Sequence, residues 1–263
     1  MLTALVLYAG AALLVGGLYV RSLLFAGGVP LRLLGLGFGL LALGAALRVM
    51  STLSALDALT ADNLLTYLTE VAAGRAALTL LLGATLLLVS EITHFSRLTS
   101  LGAAALTLWG LAGMGHGATH GPFIHFLHVL HAAAMCVWLG GVLALAFRPA
   151  TSADAARFSP YALAAALTLP ITGLLMTLNH AGASLSLFQS DYGQKLLLKL
   201  CLAALILPAV WATRRAFARH QRVRLFLLLE TALFVLVLLV TAQLTQLPPP
   251  SHNPLPTPTS IQQ

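Results

Sequence analysis

The feature that most constrains this chain is the recurrence of apolar runs of about twenty residues along almost its whole length. A run of that length crosses the hydrocarbon core of a bilayer as an α-helix. The composition agrees, because 59% of the 263 residues are hydrophobic and only 8% are charged. An average soluble domain has about 25% charged residues. The sequence therefore excludes a soluble globular domain and predicts an all-α, polytopic integral membrane protein.

Charged residues and Pro/Gly clusters divide the chain into eight candidate spans, an eight-helix transmembrane bundle. The spans are Leu2–Phe25, Leu31–Met50, Ala72–Val89, Leu98–Met114, Phe123–Phe147, Phe158–Leu178, Tyr192–Thr213 and Leu225–Leu247. Leucines in the connection 51–71 predict a short interfacial helix. The first segment lacks a basic region and a cleavage site, so we expect it to be retained. We treat 1–247 as one transmembrane domain and expect the proline-rich tail 248–263 to be disordered.

The basic residues fall in alternate connections, which orients the bundle. Ten arginines occupy the first, third, fifth and seventh connections, and the other connections and both tails have no Lys or Arg: Arg21, Arg32, Arg97, Arg148, Arg157, Arg214, Arg215, Arg219, Arg222 and Arg224. The positive-inside rule then predicts that both termini face outward. The net charge of +7 is not gathered on one folded face, so we expect no nucleic-acid binding.

Four further cations lie near the predicted outer ends of spans: Arg48, Arg75, Lys195 and Lys199. Snorkelling to outer headgroups is the simplest interpretation for the first three. Lys199 lies about two turns inside its span, where a structural role and a role in a site are equally compatible with the sequence.

Seven of the nine histidines lie on the predicted outer side: His116, His120, His125, His128, His131, His180 and His252. At 100° per residue, His125, His128, His131 and Met135 share one face of the fifth span. Polar residues inside a membrane indicate a functional site by default. We therefore expect this cluster to hold a metal ion or a cofactor, although a lone membrane histidine often only hydrogen-bonds a neighbouring helix.

Methionines lie on the same side as these histidines. Met114, Met135 and Met176 are near the outer ends or on the histidine face, although single methionines usually fill packing gaps. Imidazole with thioether favours Cu(I), and imidazole also serves Cu(II). Zinc is the competitor, but it is usually completed by carboxylate or thiolate. Motifs for phosphate binding, serine hydrolysis and zinc proteolysis are absent from the sequence, so we do not expect an enzyme.

Several motifs resemble those of the copper resistance protein D (CopD) family. The stretch 131–141, His-Ala-Ala-Ala-Met-Cys-Val-Trp-Leu-Gly-Gly, is similar to the family's histidine and Trp-Leu/Val-Gly-Gly motif, and Gly-His at 115–116 precedes it. Leu-Pro-Ile-Thr-Gly at 169–173 and Tyr-Gly-x2-Leu-x2-Lys at 192–199 are also similar. The resemblance covers about 110–250. The positions that it carries over are His116, His131, Trp138, Gly140, Gly141, Tyr192, Lys199 and Glu230.

The resemblance implies an eight-helix protein of the bacterial inner membrane that handles copper, with a periplasmic CopC-type copper carrier as partner. Copper would enter through His116, His120 and His180 and continue along the histidine face toward Met135. Cys201 is a weak candidate for the next step inward. We expect Glu230 to pair with neighbouring arginines.

Two alternatives stay open at this point. One is a b-type haem protein, in which His131 and His180 are axial ligands on two helices. The other is a purely structural or accessory role for the histidine cluster. The sequence fixes neither the copper oxidation state nor the direction of transport.

Overall fold

The computed structural model describes residues 2–21, 29–115, 121–146, 151–181, 190–219, 223–244 and 247, with residues 180 and 181 described by their backbone alone. All regular structure in these ranges is helical. The helices are α1 (Leu2–Tyr19), α2 (Leu31–Ala55), α3 (Ala61–Glu70), α4 (Ala72–Ile92), α5 (Arg97–Gly113), α6 (Gly121–Ala146), α7 (Ser152–Ala181), α8 (Asp191–Arg219) and α9 (Val223–Leu244).

Seven helices of the described chain are long and apolar enough to cross a bilayer, namely all except α3 and α5. Helix α5 corresponds to the predicted fourth span, and its 17 residues place it at the lower limit for spanning, about 17 residues. It packs along α4 for most of its length. The all-helical membrane fold is therefore confirmed, and the count of eight spans stays a prediction that depends on α5.

The short helix predicted in the connection 51–71 is present as α3, and its interfacial position stays a prediction. Its first turn is capped by Thr60, whose side-chain oxygen accepts a hydrogen bond from the Asn63 backbone N–H at 3.2 Å. Its last turn is held by the Arg75 guanidinium on α4, which donates to the Glu70 carbonyl oxygen at 2.8 Å. Arg75 thus has a helix-capping contact, and its snorkelling to outer headgroups stays a prediction.

The buried side chains form two main clusters that follow the order of the chain. The first joins α1 to α5 and Cys136 of α6, with Leu34, Leu41 and Leu80 fully buried. The second joins α1, α6, α7, α8 and α9, with Val142 and Leu227 at its centre. Helices α1 and α6 contribute buried residues to both clusters. The outward faces of the bundle carry exposed leucines, as expected where lipid replaces water.

Close backbone packing joins α1 to α6. Helix α1 widens into a π-helical stretch at Ala12–Gly16, and Gly16 meets Gly140 there. A Cβ atom added at Gly16 would lie 2.3 Å from the Cys136 carbonyl oxygen, and one added at Gly140 would lie 2.6 Å from the Gly16 Cα. Both positions therefore require glycine, in agreement with the role of small residues in membrane helix packing.

The two ends of the bundle differ in their polar groups. At one end, called here the arginine end, Arg21 forms an ion pair with Glu91 (Nε to Oε2, 3.1 Å) and the Ser100 hydroxyl donates to the same carboxylate at 3.1 Å. The opposite end, called here the histidine end, is where α1 and α6 begin and α5 and α7 finish. A cavity of about 40 Å³ opens there, lined by Tyr8, Arg48 and others.

Candidate metal site

Helix α6 carries the described histidines of the predicted cluster as a column. At a rise of 1.5 Å per residue, His125, His128 and His131 lie about 6, 10 and 15 Å from Gly121 at the histidine end. All three side chains are half-buried. The column therefore runs from the histidine end toward the middle of the bilayer.

His125 faces α5 at the outer part of the column. Its ring lies against Trp109, with 4.3 Å between the ring centroids and 49° between the planes. A Cβ atom added at Gly113 would lie 3.3 Å from His125 Cε1, so glycine makes room for the ring. The His125 Nε2 atom is buried and has no hydrogen-bond partner among the residues that the structure describes. A buried nitrogen of this kind needs an explanation, and a ligand supplies one.

His131 faces α7 and is held there by Thr172, 2.8 Å from its Nδ1 atom. The Thr172 hydroxyl has one proton, which it donates to the Thr168 carbonyl oxygen, 2.7 Å from Oγ1. Thr172 must then accept from His131, so we assign the ring proton to Nδ1. A neutral imidazole in this tautomer has its lone pair on Nε2, the atom that would bind a metal ion.

The middle of the column lies close to α7. Lys199 is half-buried on α8. Met176 is half-buried on α7, one turn from Thr172 toward the histidine end, and so lies at about the level of His128. A thioether and an imidazole thus occur at the same depth.

The remaining methionines fit a packing role as well as a ligand role. Met114 is 7% exposed and belongs to the first core cluster. Met135 is half-buried on α6 and packs against both clusters. These contacts are what flexible apolar side chains normally make.

Some predicted ligands lie outside the described residues. These are His116, His120, His252 and the side chain of His180. In the part of the chain that is described, three or more His, Cys, Asp or Glu residues do not come together as a metal-binding group. A set of three or more ligands would therefore include methionine or residues beyond the described ranges.

A second polar cluster lies deeper in the bundle, nearer the arginine end. The Trp138 indole donates to Glu230 Oε1 at 3.2 Å, and the Thr213 hydroxyl lies 3.2 Å from Glu230 Oε2. Glu230 is 3% exposed. Its partners are thus an indole and a hydroxyl, and the expectation of an arginine partner is wrong for the described chain. Trp138 also packs edge-on against Phe234.

Two other predicted positions lie away from the column. Tyr192 is half-buried and packs against Leu196 in a small separate cluster. Cys201, the weak candidate for an inward step, is exposed on α8, whereas Cys136 is fully buried.

Sequence reasoning did not assign a role to two residues that shape the site. Thr172 sets the orientation of His131, and its signal was present in the Thr-Gly motif of α7. Trp109 covers His125, and no pattern within α5 distinguishes it from an ordinary aromatic residue facing lipid.

Comparison with known proteins finds a family and a relative that resemble this chain. A model of the family described as copper resistance protein D matches residues 152–244, which comprise α7 to α9. The copper transport protein CutJ of Bacillus subtilis (strain 168) is 30% identical over 204 residues. Residues 152–244 of this chain are thus similar to the CopD family, and the chain is similar to CutJ over a longer stretch.

These matches cover only part of this chain and part of the relative. The alignment covers 69% of this chain and 37% of CutJ, so the chain spans little more than a third of that relative. No solved structure matches. The CopD match includes Thr172, Lys199 and Glu230 but not α6, so the expected extension of family similarity to residue 110 stays a prediction.

Proposed function

We propose that this chain belongs to the CopD family, that it binds copper at its outward face through the histidine column and Met176, and that it serves copper import or copper tolerance. The observation that carries the proposal is His131, whose Nδ1 is engaged by Thr172 so that Nε2 presents a lone pair. Copper is the cargo here, and the role is that of a transport or carrier protein rather than an enzyme. The similarity to CutJ, a copper transport protein, supports this proposal.

The ligand chemistry favours Cu(I). His128 and Met176 lie at about the same depth on facing helices, and imidazole with thioether is a soft donor set. The described carboxylates at the histidine end, Asp57, Asp62, Glu70 and Asp191, are exposed at or beyond helix ends. Zinc, which is usually completed by carboxylate or thiolate, is therefore disfavoured.

The proposed setting follows the charge asymmetry. Arginines in alternate connections favour a bacterial inner membrane with the histidine end and both termini on the periplasmic side. A periplasmic CopC-type carrier would then deliver copper to that end, with His116, His120 and His180 as the first residues to meet it.

Few metal-binding side chains of the described interior lie between Met135 and the arginine end. Below Met135, the described interior offers the buried Cys136 and then the Trp138–Glu230–Thr213 cluster. The Cys201 side chain is exposed on α8 and does not face the described interior. A site that holds copper without passing it inward thus agrees with the same geometry.

The first test is the metal content of the protein purified from membranes after growth with copper and with iron. We expect close to one copper per chain, no haem absorbance band, and competition by Ag(I) but not by Zn(II). Stoichiometric iron with a haem band would overturn the copper proposal and make His131 an axial-ligand candidate. Copper that stays bound in the presence of excess chelator would further indicate an internal site rather than surface binding.

A further inference from the structure

The polar cluster between the histidine column and the arginine end contains a buried acid, Glu230. This residue is 3% exposed on α9. The Trp138 indole N–H donates to its Oε1 atom, and the Thr213 hydroxyl lies 3.2 Å from its Oε2 atom. Trp138 follows His131 by seven residues on α6, which is two turns, or about 10 Å, along the same face of the helix. The acid therefore lies on the same side of α6 as His131, deeper in the bundle.

The described cations do not pair with this acid. Helices α1, α6 and α8 pack against α9, and the described arginines toward that end are exposed or engaged with other groups. They are Arg21 paired with Glu91, Arg214 bonded to Ser159, Arg215 over the Trp211 ring, and the exposed Arg219 and Arg224. The titratable side chains of α1 and α6 nearest to the acid carry no positive charge: Tyr8, Tyr19, Cys136 and the neutral His131. Lys199 is about 21 Å from Thr213 along α8.

These surroundings favour the neutral form of Glu230. A charge that is buried without a counterion is strongly disfavoured, both in a protein interior and in a membrane. The two contacts of the carboxyl group are with an uncharged indole and an uncharged hydroxyl. The acid therefore has hydrogen-bond partners but no described counterion.

The Thr213 hydroxyl locates the proton of the acid. The hydroxyl oxygen lies 3.0 Å from the Ala209 carbonyl oxygen, one turn earlier on α8, and 3.2 Å from Glu230 Oε2. The hydroxyl has one proton, and we assign it to the nearer carbonyl, the contact that Thr107 and Thr231 make at 2.8 Å. Oε2 then faces a hydroxyl lone pair, so it carries a proton and donates it. The other oxygen, Oε1, is the carbonyl oxygen that accepts from the indole.

A metal ion in the histidine column would act on this proton. At an effective dielectric constant of about 20, a unit positive charge about 10 Å away favours the ionised form of an acid by about tenfold. By reciprocity, the ionised acid favours binding of the cation by the same factor. Proton release and metal binding are thus coupled by their charges alone, without a contact between the two groups.

We propose that Glu230 is a proton-binding site, which holds a proton while the histidine column is empty and releases it when a monovalent metal ion occupies the column. The inference rests on the proposed copper function, because the column is where that ion binds. In the release, the O–H bond of the acid breaks, its electron pair stays on the carboxylate, and the proton passes to water. One positive charge enters and one leaves, so the net charge of the bundle does not change.

Infrared spectroscopy of the purified full-length protein detects the proton. The difference between the wild type and Glu230→Gln at neutral pH should contain the C=O stretching band of a buried carboxylic acid. Glutamine keeps a carbonyl oxygen for Trp138 and an N–H for Thr213, so it reproduces the neutral acid and its contacts. Trp138→Phe should move the band to higher frequency, because the carbonyl oxygen loses its donor. The matched control Glu91→Gln removes an ion-paired carboxylate and should leave the band in place. Carboxylate bands alone for Glu230 would overturn the proposal.

The coupling is tested by the Ag(I) affinities of the wild type and Glu230→Gln at mildly acidic and at alkaline pH. At acidic pH both side chains are neutral, and the two affinities should be equal. At alkaline pH the wild type should bind Ag(I) about tenfold more tightly. Histidine titration is common to both proteins, so the ratio isolates Glu230. Equal affinities at both pH values would overturn the coupling and leave the copper site standing. A wild type that binds no Ag(I) would overturn the copper site and the coupling with it, whereas the infrared band would still show the protonated acid.

Discussion

Helix α6 carries two polar regions that differ in how many of their buried polar atoms have hydrogen-bond partners. Near the arginine end, Trp138 and Thr213 both approach the Glu230 carboxyl group, so the buried polar atoms have partners within the fold. Nearer the histidine end, His125 Nε2 is buried without a partner in the described chain, and His131 is fixed through Nδ1. Burial is common to both regions, and the difference lies in how many polar atoms are satisfied. A satisfied cluster stabilises the bundle, whereas an oriented nitrogen with a remaining lone pair is suited to a ligand.

The largest effect that this comparison predicts is for His131→Ala. The variant removes the nitrogen that Thr172 orients, so we expect it to lose most of the bound copper while its elution volume and melting temperature stay close to the wild type. The measurement is copper per chain by elemental analysis of purified protein. The matched control is His94→Asn, at the arginine end, where φ is 55° and asparagine tolerates that conformation. Wild-type copper content in His131→Ala contradicts the proposed site.

A smaller loss is expected for Thr172→Val, which keeps the shape of the side chain but removes the acceptor for His131 Nδ1. Loss of an outer hydrogen bond to a metal-binding histidine typically costs about tenfold to a hundredfold in metal affinity. We expect a shift of this size in Ag(I) affinity. Thr172→Ser restores the hydroxyl and should recover most of the affinity. Equal affinities for the valine and serine variants would show that Thr172 only packs against the ring.

The opposite pattern is expected for Glu230→Leu. This variant leaves the Trp138 N–H without its acceptor and removes one contact of Thr213. At about 0.6 kcal/mol for each membrane hydrogen bond, we expect a loss of about 1 kcal/mol in stability. Copper content should stay at the wild-type level. Thermal unfolding in detergent measures the first effect, and Glu230→Gln, which keeps an acceptor, is the milder control. Copper loss in a folded Glu230→Leu protein would show that the Glu230 cluster and the histidine column both contribute to copper binding.

Hydropathy predicted most of the fold because lipid imposes long apolar helices on any chain that crosses it. The predicted span Leu98–Met114 and the observed Arg97–Gly113 differ by one residue at each end. The start of α7 was placed six residues too late, at Phe158, since charges near Asp154 resembled a loop. A capping box explains the earlier start: Thr151 and Asp154 exchange side-chain to backbone hydrogen bonds.

The candidate site was harder to predict, because a helical wheel gives the direction of each side chain but not the helix that it faces. His125 and His131 are six residues apart, which corresponds to about 120° around α6. The sequence placed both on one broad face toward a common site. The structure shows that this angle is enough to direct His125 to Trp109 on α5 and His131 to Thr172 on α7. Which helices flank α6 depends on tertiary packing, and no local pattern encodes it.

The smallest effect is expected from truncation after Pro250, which removes His252 and the rest of the proline-rich tail. The sequence predicts that this segment has no core-forming pattern, so its single histidine has no fixed position relative to α6. Copper per chain and Ag(I) affinity should both match the full-length protein. His252→Ala in the full-length chain is the matched control for any effect of shortening. A large loss of copper in both variants would make His252 a ligand and would shift the site from the oriented imidazoles of the column toward the outer surface of the bundle.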